Sequence, residues 1–159
     1  HETGEPLPES LLEKMRAARN FQSAMQMLRQ IEFSLFDLEI HRAGRNPDTP
    51  EAVRRILGEI RERVSVVEVP AFNRFENGFG HIFAGGYAAG YYSYKWAEVL
   101  SADAYSRFEE EGVFSEKCGR DFLQNILEKG GSQDPMELFT AFRGRKPSVD
   151  ALLRHSGLS

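Results

Sequence analysis

The sequence predicts an all-α chain of about six to eight helices, with little or no sheet. Two observations carry that expectation. Apolar residues recur every three or four positions in segment after segment, and the strict alternation of half-buried strands is scarce. A third is the punctuation: Thr49-Pro50, Ser115 and Asp134-Pro135 each stand just ahead of an apolar run, where a helix-starting residue belongs.

The elements follow in order. Residues 1 to 8 read as an irregular lead-in. Pro8-Glu9-Ser10 starts a first helix, because proline is tolerated in the first turn, and Leu11, Leu12, Met15 and Ala18 follow at helical spacing. Asn20 reads as the cap of a second helix. Its stripe of Phe21, Met25, Leu28, Ile31, Leu35 and Leu38 is widened by Met27, Phe33, Phe36 and Ile40, so it should be buried on more than one side. Residues 43 to 50 form a loop by their turn chemistry. Thr49 then caps a third helix with Val53, Ile56, Leu57, Ile60 and Val64 on its inner face. On its other side, Glu51 with Arg55 and Glu59 with Arg63 have the spacing of ion pairs. Val64 to Val69 suits a short extended piece ended by Pro70.

Residues 71 to 86 mix four Phe with four Gly and fit neither period. Helical spacing returns from about Ala88 to Glu111, with Ala97, Leu100, Ala104 and Phe108 on one face. Ser115 caps the next helix, in which Cys118, Phe122, Leu123, Ile126 and Leu127 point inward and Gly130-Gly131 makes the stop. Asp134-Pro135-Met136-Glu137 resembles a capping box ahead of Met136, Phe139 and Phe142. Ser148 opens a last helix with Val149, Leu152 and Leu153, ended by Gly157.

Composition narrows the function classes. The formal charge is -4, from 24 acidic and 20 basic residues, which argues against nucleic acid as the main partner. No apolar run approaches the ~20 residues that cross a bilayer, so no membrane partner is expected. The first ten residues are polar, contain two prolines and do not read as a signal peptide. The single cysteine, Cys118, cannot form a disulfide within the chain and fits a reducing, cytoplasmic setting.

Several clusters fail as sites on geometric grounds. His1-Glu2-Thr3-Gly4-Glu5 lacks the second histidine one turn on that a zinc helix needs, and Gly4 and Pro6 oppose a helix there. His41, His81 and His155 are scattered, so the chain shows no metal site. Glu109, Glu110 and Glu111 are consecutive on a helix and point in different directions, as a solvated helix end would. Arg143, Arg145 and Lys146 read as a solvated basic patch, and Cys118 as a core thiol.

The outlier is residues 80 to 94. Glycines there permit unusual backbone angles and close approach by another chain. Four tyrosines fall within the eight residues 87 to 94. If that stretch is helical, Tyr87, Tyr91 and Tyr94 share a face and their hydroxyls converge. A glycine segment feeding a tyrosine face can grip a peptide; the competing reading is aromatic core packing, and the residues alone leave both open.

The run Gly-His-Ile-Phe-Ala-Gly-Gly-Tyr-Ala-Ala-Gly-Tyr-Tyr-Ser-Tyr-Lys-Trp, Gly80 to Trp96, resembles the thimet oligopeptidase family of zinc peptidases, its bacterial branch most of all. The likeness continues through His1 to Pro8, Phe108 to Gly112, Gly130 to Ser132 and Phe142 to Arg145, and so covers essentially the whole chain. It implies that residues 1–159 are a helical C-terminal segment of the peptidase catalytic domain, within a prolate fold holding a deep channel. Zinc and the catalytic base would be supplied by a His-Glu-x-x-His helix upstream, so the full-length enzyme carries zinc on residues not in this chain. No cofactor is expected in the segment, and no activity from it alone. By match, His81 and Tyr94 stabilise the tetrahedral intermediate, and Tyr87 and Tyr91 contact the peptide. Gly85, Gly86 and Gly90 let the loop close. The partners implied are short peptides and the missing N-terminal part of the same enzyme. An apolar face left exposed toward that part could also drive dimerisation. The competing reading is a stand-alone, non-catalytic helical module that binds peptides or a partner. A His-Glu-x-x-His helix encoded in frame upstream would separate the two.

Overall fold

A computed structural model describes residues 2–45 and 47–159. His1, which opens the run weighed as a zinc motif, and Asn46, inside the 43 to 50 loop, lie outside the described residues. The described residues form eight α-helices and no strand, as the periodicity predicts. They are α1 Glu9–Ala18, α2 Ser23–His41, α3 Pro50–Val64, α4 Phe75–Gly78, α5 Ser93–Glu111, α6 Glu116–Phe122, α7 Pro135–Arg143 and α8 Asp150–His155. A 3₁₀ turn at Gly80–Ile82 follows α4, and a π turn at Leu123–Leu127 extends α6. No described helix is long and apolar enough to cross a membrane.

Two packing groups share the chain. In the first, α2 lies against α3, and Phe33, Phe36, Ile40, Ile56, Leu57 and Ile60 form a core completed by Phe79 and Ile82 from the segment after α4. Thr49 caps α3 as expected, accepting the Ala52 N–H at 3.1 Å, and Pro50 is its first residue. Arg61 donates to Glu32 across the helix pair at 2.9 Å, and Arg54 to Glu76 at 3.2 Å ties α4 to α3. On the outer face, Glu51 pairs with Arg54 and Glu59 with Arg55, rather than in the register read from the sequence.

In the second group, α5 is the axis on which α6, α7 and α8 pack. Ser115 caps α6, and the Asp134 carboxylate accepts the Met136 and Glu137 N–H groups at the start of α7. Cys118 is fully buried, and burial pushes its thiol above the ordinary range. The buried face of α5 is mostly polar: Asp103, Ser106 and Arg107 beside Val99. Asp103, with no exposure, accepts from Arg145 at 2.7 Å, from the Ser148 N–H at 2.7 Å and from Arg143 at 3.3 Å. Arg143 and Arg145 are therefore a structural staple, not the solvated patch expected. Glu109, Glu110 and Glu111 do diverge, but each is paired: with Arg154 and His155, with Arg143, and with Arg107.

Other expectations give way. Asn20 caps nothing; α2 starts at Ser23 after Gln22, which has φ 56°, and Phe21 is exposed. Helix α1 buries none of its residues. Val64 ends α3, and Ser65 to Val69 is irregular rather than extended pairing. Leu123, Leu127 and Met136, expected to pack inward, are exposed, and Leu138 packs in place of Met136. Leu100, Ala104 and Phe108, read as one face of α5, line a groove of about 500 Å³ with Phe122, Ile126 and Phe139.

Candidate functional site

The glycine- and tyrosine-rich segment is held from below by aromatic packing. Phe33 of α2 stacks on Phe75 with ring centroids 4.5 Å apart, Phe75 meets Phe79 at 4.8 Å, and Phe79 meets Tyr91 edge-on at 5.0 Å. Ile82 is fully buried between these layers. The chain then winds around one carbonyl: Gly80 O accepts from the N–H groups of Phe83, Ala84 and Gly85. A Cβ on Gly85 would stand 2.8 Å from His81 Cα and carbonyl oxygen, so glycine is required there for space. Gly86 has φ +80° and is required for conformation. Gly90 meets neither condition; a Cβ would sit 3.4 Å from Tyr87 O, an ordinary contact.

Residues 88 to 92 are turns, not the first turns of a helix, and Ala89 has φ 55°. Helix α5 starts only at Ser93. The tyrosines nonetheless converge. Tyr87 and Tyr94 stack at 5.0 Å with planes 28° apart, and Tyr91 meets Tyr94 edge-on at 5.1 Å. His81 lies 6.3 Å from the Tyr87 ring and 6.2 Å from that of Tyr91. The shared face is real, but turns build it.

The members differ in exposure. Tyr87 and Tyr94 are 37% and 40% exposed, and His81 is exposed beside them. Tyr91 is half-buried, and its hydroxyl donates to Gln30 Oε1 at 3.1 Å. Hydrogen bonding with the Tyr87 hydroxyl, followed by loss of solvent, raises the Tyr94 phenol above its ordinary value. Burial does the same for Tyr91, opposed by the positive charge of Arg29. Both phenols thus stay protonated at neutral pH and can donate. The arrangement offers two exposed phenols and an imidazole on one surface, able to donate to an oxygen that gains charge.

Sequence reasoning missed what lies beneath the loop. Asp37, fully buried on α2, accepts the Ala89 N–H on Oδ1 and the Tyr91 N–H on Oδ2, both at 2.9 Å. His41 Nδ1 lies 2.9 Å from Asp37 Oδ1. The signal was available: Leu35-Phe36-Asp37-Leu38 places a lone carboxylate inside an apolar stripe.

The sequence model of peptidase family M3 matches residues 1–158. The chain belongs to peptidase family M3. This M3 segment is 58% identical to oligopeptidase A of Salmonella typhimurium and 57% identical to oligopeptidase A of Escherichia coli, each over 99% of the segment and 23% of the relative. It is 31% identical to saccharolysin of Saccharomyces cerevisiae over 99% of the segment and 22% of that protein. The segment therefore spans about a quarter of the length of the relatives it matches. Among the described residues of this M3 segment, no three His, Cys, Asp or Glu side chains form a group that could hold a metal ion.

Proposed function

We propose that residues 1–159 are the substrate-facing C-terminal segment of a zinc-dependent oligopeptidase that hydrolyses short peptides. Membership of family M3 and the names of the relatives it matches support the class of activity. The observation that carries the site is the exposed Tyr87–Tyr94 stack beside His81, on a loop anchored in the core.

In this reading a peptide lies across the loop. Tyr94 donates its phenol proton in a hydrogen bond to the scissile carbonyl oxygen as negative charge grows there, and an imidazole N–H of His81 is the second donor. A donor held in place before charge develops lowers the barrier without reorganisation. Tyr87 and Tyr91 present ring faces to the peptide backbone and side chains, and Gly85 and Gly86 shape the tight turn that holds them. The zinc and the base belong to polypeptide outside these residues, and the segment alone has no peptidase activity.

The test is Tyr94→Phe in the full-length enzyme, with metal content confirmed. Phe keeps the ring and removes the hydroxyl. The expected result is a fall in kcat of about 10²–10³, as for loss of one such donor in a hydrolase, with KM little changed. Tyr87→Phe should instead raise KM. An unchanged kcat in a fully metallated Tyr94→Phe enzyme removes Tyr94 from the chemistry and leaves the cluster as packing.

A further inference from the structure

We propose that Asp37, oriented by His41, is the positioning residue of the tyrosine loop. It sets the place of Tyr87, Tyr91 and Tyr94 through two backbone hydrogen bonds and touches no substrate. This rests on the reading of that loop as the substrate site.

The case begins with the difficulty of keeping a carboxylate where Asp37 is. Its side chain has no exposure and sits among Phe33, Phe36 and Ile40 of the same helix. An ionised carboxylate out of water is tolerated only when its lone pairs are filled. Both Asp37 oxygens are filled by the loop, at residues 52 and 54 positions away in sequence. No other helix supplies those donors, so the bonds exist only when the loop stands in this position. Charge-assisted bonds from backbone N–H groups are shorter and about twice as strong as neutral ones.

The two donors are not arbitrary. Ala89 is a non-glycine residue at φ 55°, a left-handed conformation that L side chains rarely adopt. Its N–H is one of the pair, so the bond falls at the residue least able to hold its shape alone. Tyr91 is the other, and its ring touches Tyr94 at 5.1 Å and Phe79 at 5.0 Å. Fixing the Tyr91 backbone fixes the ring that supports Tyr94. His41, one turn on, flanks the carboxylate: its Nδ1 hydrogen-bonds the Asp37 main-chain oxygen at 2.9 Å and stands 2.9 Å from Oδ1.

The experiment compares Asp37→Asn, Tyr94→Phe and the double variant in the full-length, metallated enzyme. Asparagine keeps the shape but presents an NH₂ where one loop amide needs an acceptor. The single Asp37→Asn change is expected to lower kcat/KM by about 10–100-fold through both kcat and KM, since a displacement of ~1 Å can cost ~10²-fold. If Asp37 acts through the loop, its effect shrinks when Tyr94 has already lost its hydroxyl, so the double variant loses less than the product of the singles. Asp103→Asn is the control: it removes an equally buried carboxylate far from the loop and should lower Tm without changing kcat or KM. Losses that multiply, or full activity in a folded Asp37→Asn enzyme, overturn the proposal while leaving the site reading intact. A neutral Tyr94→Phe sinks the site reading instead; Asp37→Asn must then still raise KM, and an unchanged KM ends the proposal too. If Asp37→Asn does not fold, His41→Gln decides. Its side chain is 27% exposed, unlike that of Asp37. A several-fold rise in KM supports the positioning role, and unchanged kinetics reject it.

Discussion

Gly85 and Gly90 show how differently two glycines of one loop can matter. Gly85→Ala drives a Cβ into the His81 backbone at 2.8 Å, and backbone cannot rotate away. We expect a loss of about 1–3 kcal/mol, the usual range for overpacking, read as a lower Tm of the full-length enzyme. Gly90→Ala meets only an ordinary contact and should stay within about 0.5 kcal/mol of the parent. Equal melting of the two variants would remove the close approach as the reason for Gly85. Asp103 yields a pH prediction. Burial raises its carboxyl, but Arg145, the Ser148 N–H and Arg143 together outweigh that and hold it below its ordinary 3.8. A carboxyl lowered by folding stabilises fully above its unfolded pKa. That contribution fades as pH falls from there through the folded value. Acid unfolding below about pH 4 should therefore be less steep in Asp103→Asn than in the parent, in which this carboxyl takes up a proton on unfolding. At this scale the tyrosines and His81 were legible because their types and crowding are visible in a single stretch. Asp37 and the Arg143–Arg145 staple were not. Their partners lie 40 or more residues away, and spacing carries no information about such pairs.

At the scale of elements, the helices with side-chain caps were the ones the sequence placed best. Thr49, Ser115 and Asp134 all accept from backbone N–H groups at helix starts. Asp134→Ala should cost about 0.5–2 kcal/mol in the full-length enzyme. Asn20→Ala should spare α2, since Asn20 does not cap it. The start of α5 was misread because apolar and aromatic spacing runs on past Ala88 as if helical. What breaks the helix there is the positive φ at Ala89 and the pull of Asp37 on two amides, neither of which a period can express. The same blindness hid the polar buried face of α5. Leu100, Ala104 and Phe108 have helical spacing, yet the neighbours packed on this helix come to Asp103, Ser106 and Arg107.

For the whole molecule, the open apolar groove is the counterpart of the chain's short span relative to its relatives. Leu100, Ala104, Tyr105, Phe108 and Ile126 leave apolar surface in solvent, more than three-quarters of each relative lies outside the match, and α1 buries nothing. On the proposed reading, polypeptide outside residues 1–159 covers this groove in the full-length enzyme, in preference to a second copy of the chain. Tyr105→Asp tests it, because Tyr105 is 47% exposed in this segment. A solvent-facing substitution stays within about 0.5 kcal/mol, whereas burying a charge costs far more. A clear drop in the Tm of the full-length monomer supports the inference. An unchanged Tm places the groove in solvent, and a change only in a dimer–monomer equilibrium assigns it to a second copy.

The clamp between Asp37 and the loop also has a consequence in time. Amide protons at the surface of a loop ordinarily trade with solvent quickly, because local opening costs almost nothing. The Ala89 and Tyr91 amides cannot be released without separating the loop from α2 and exposing Asp37. Their deuterium uptake should therefore follow the slow breathing of the α2–α3 core, while that of neighbouring Ala88 follows the fast motion of the surface. A rim of half-exposed tyrosines would keep the clock of the interior.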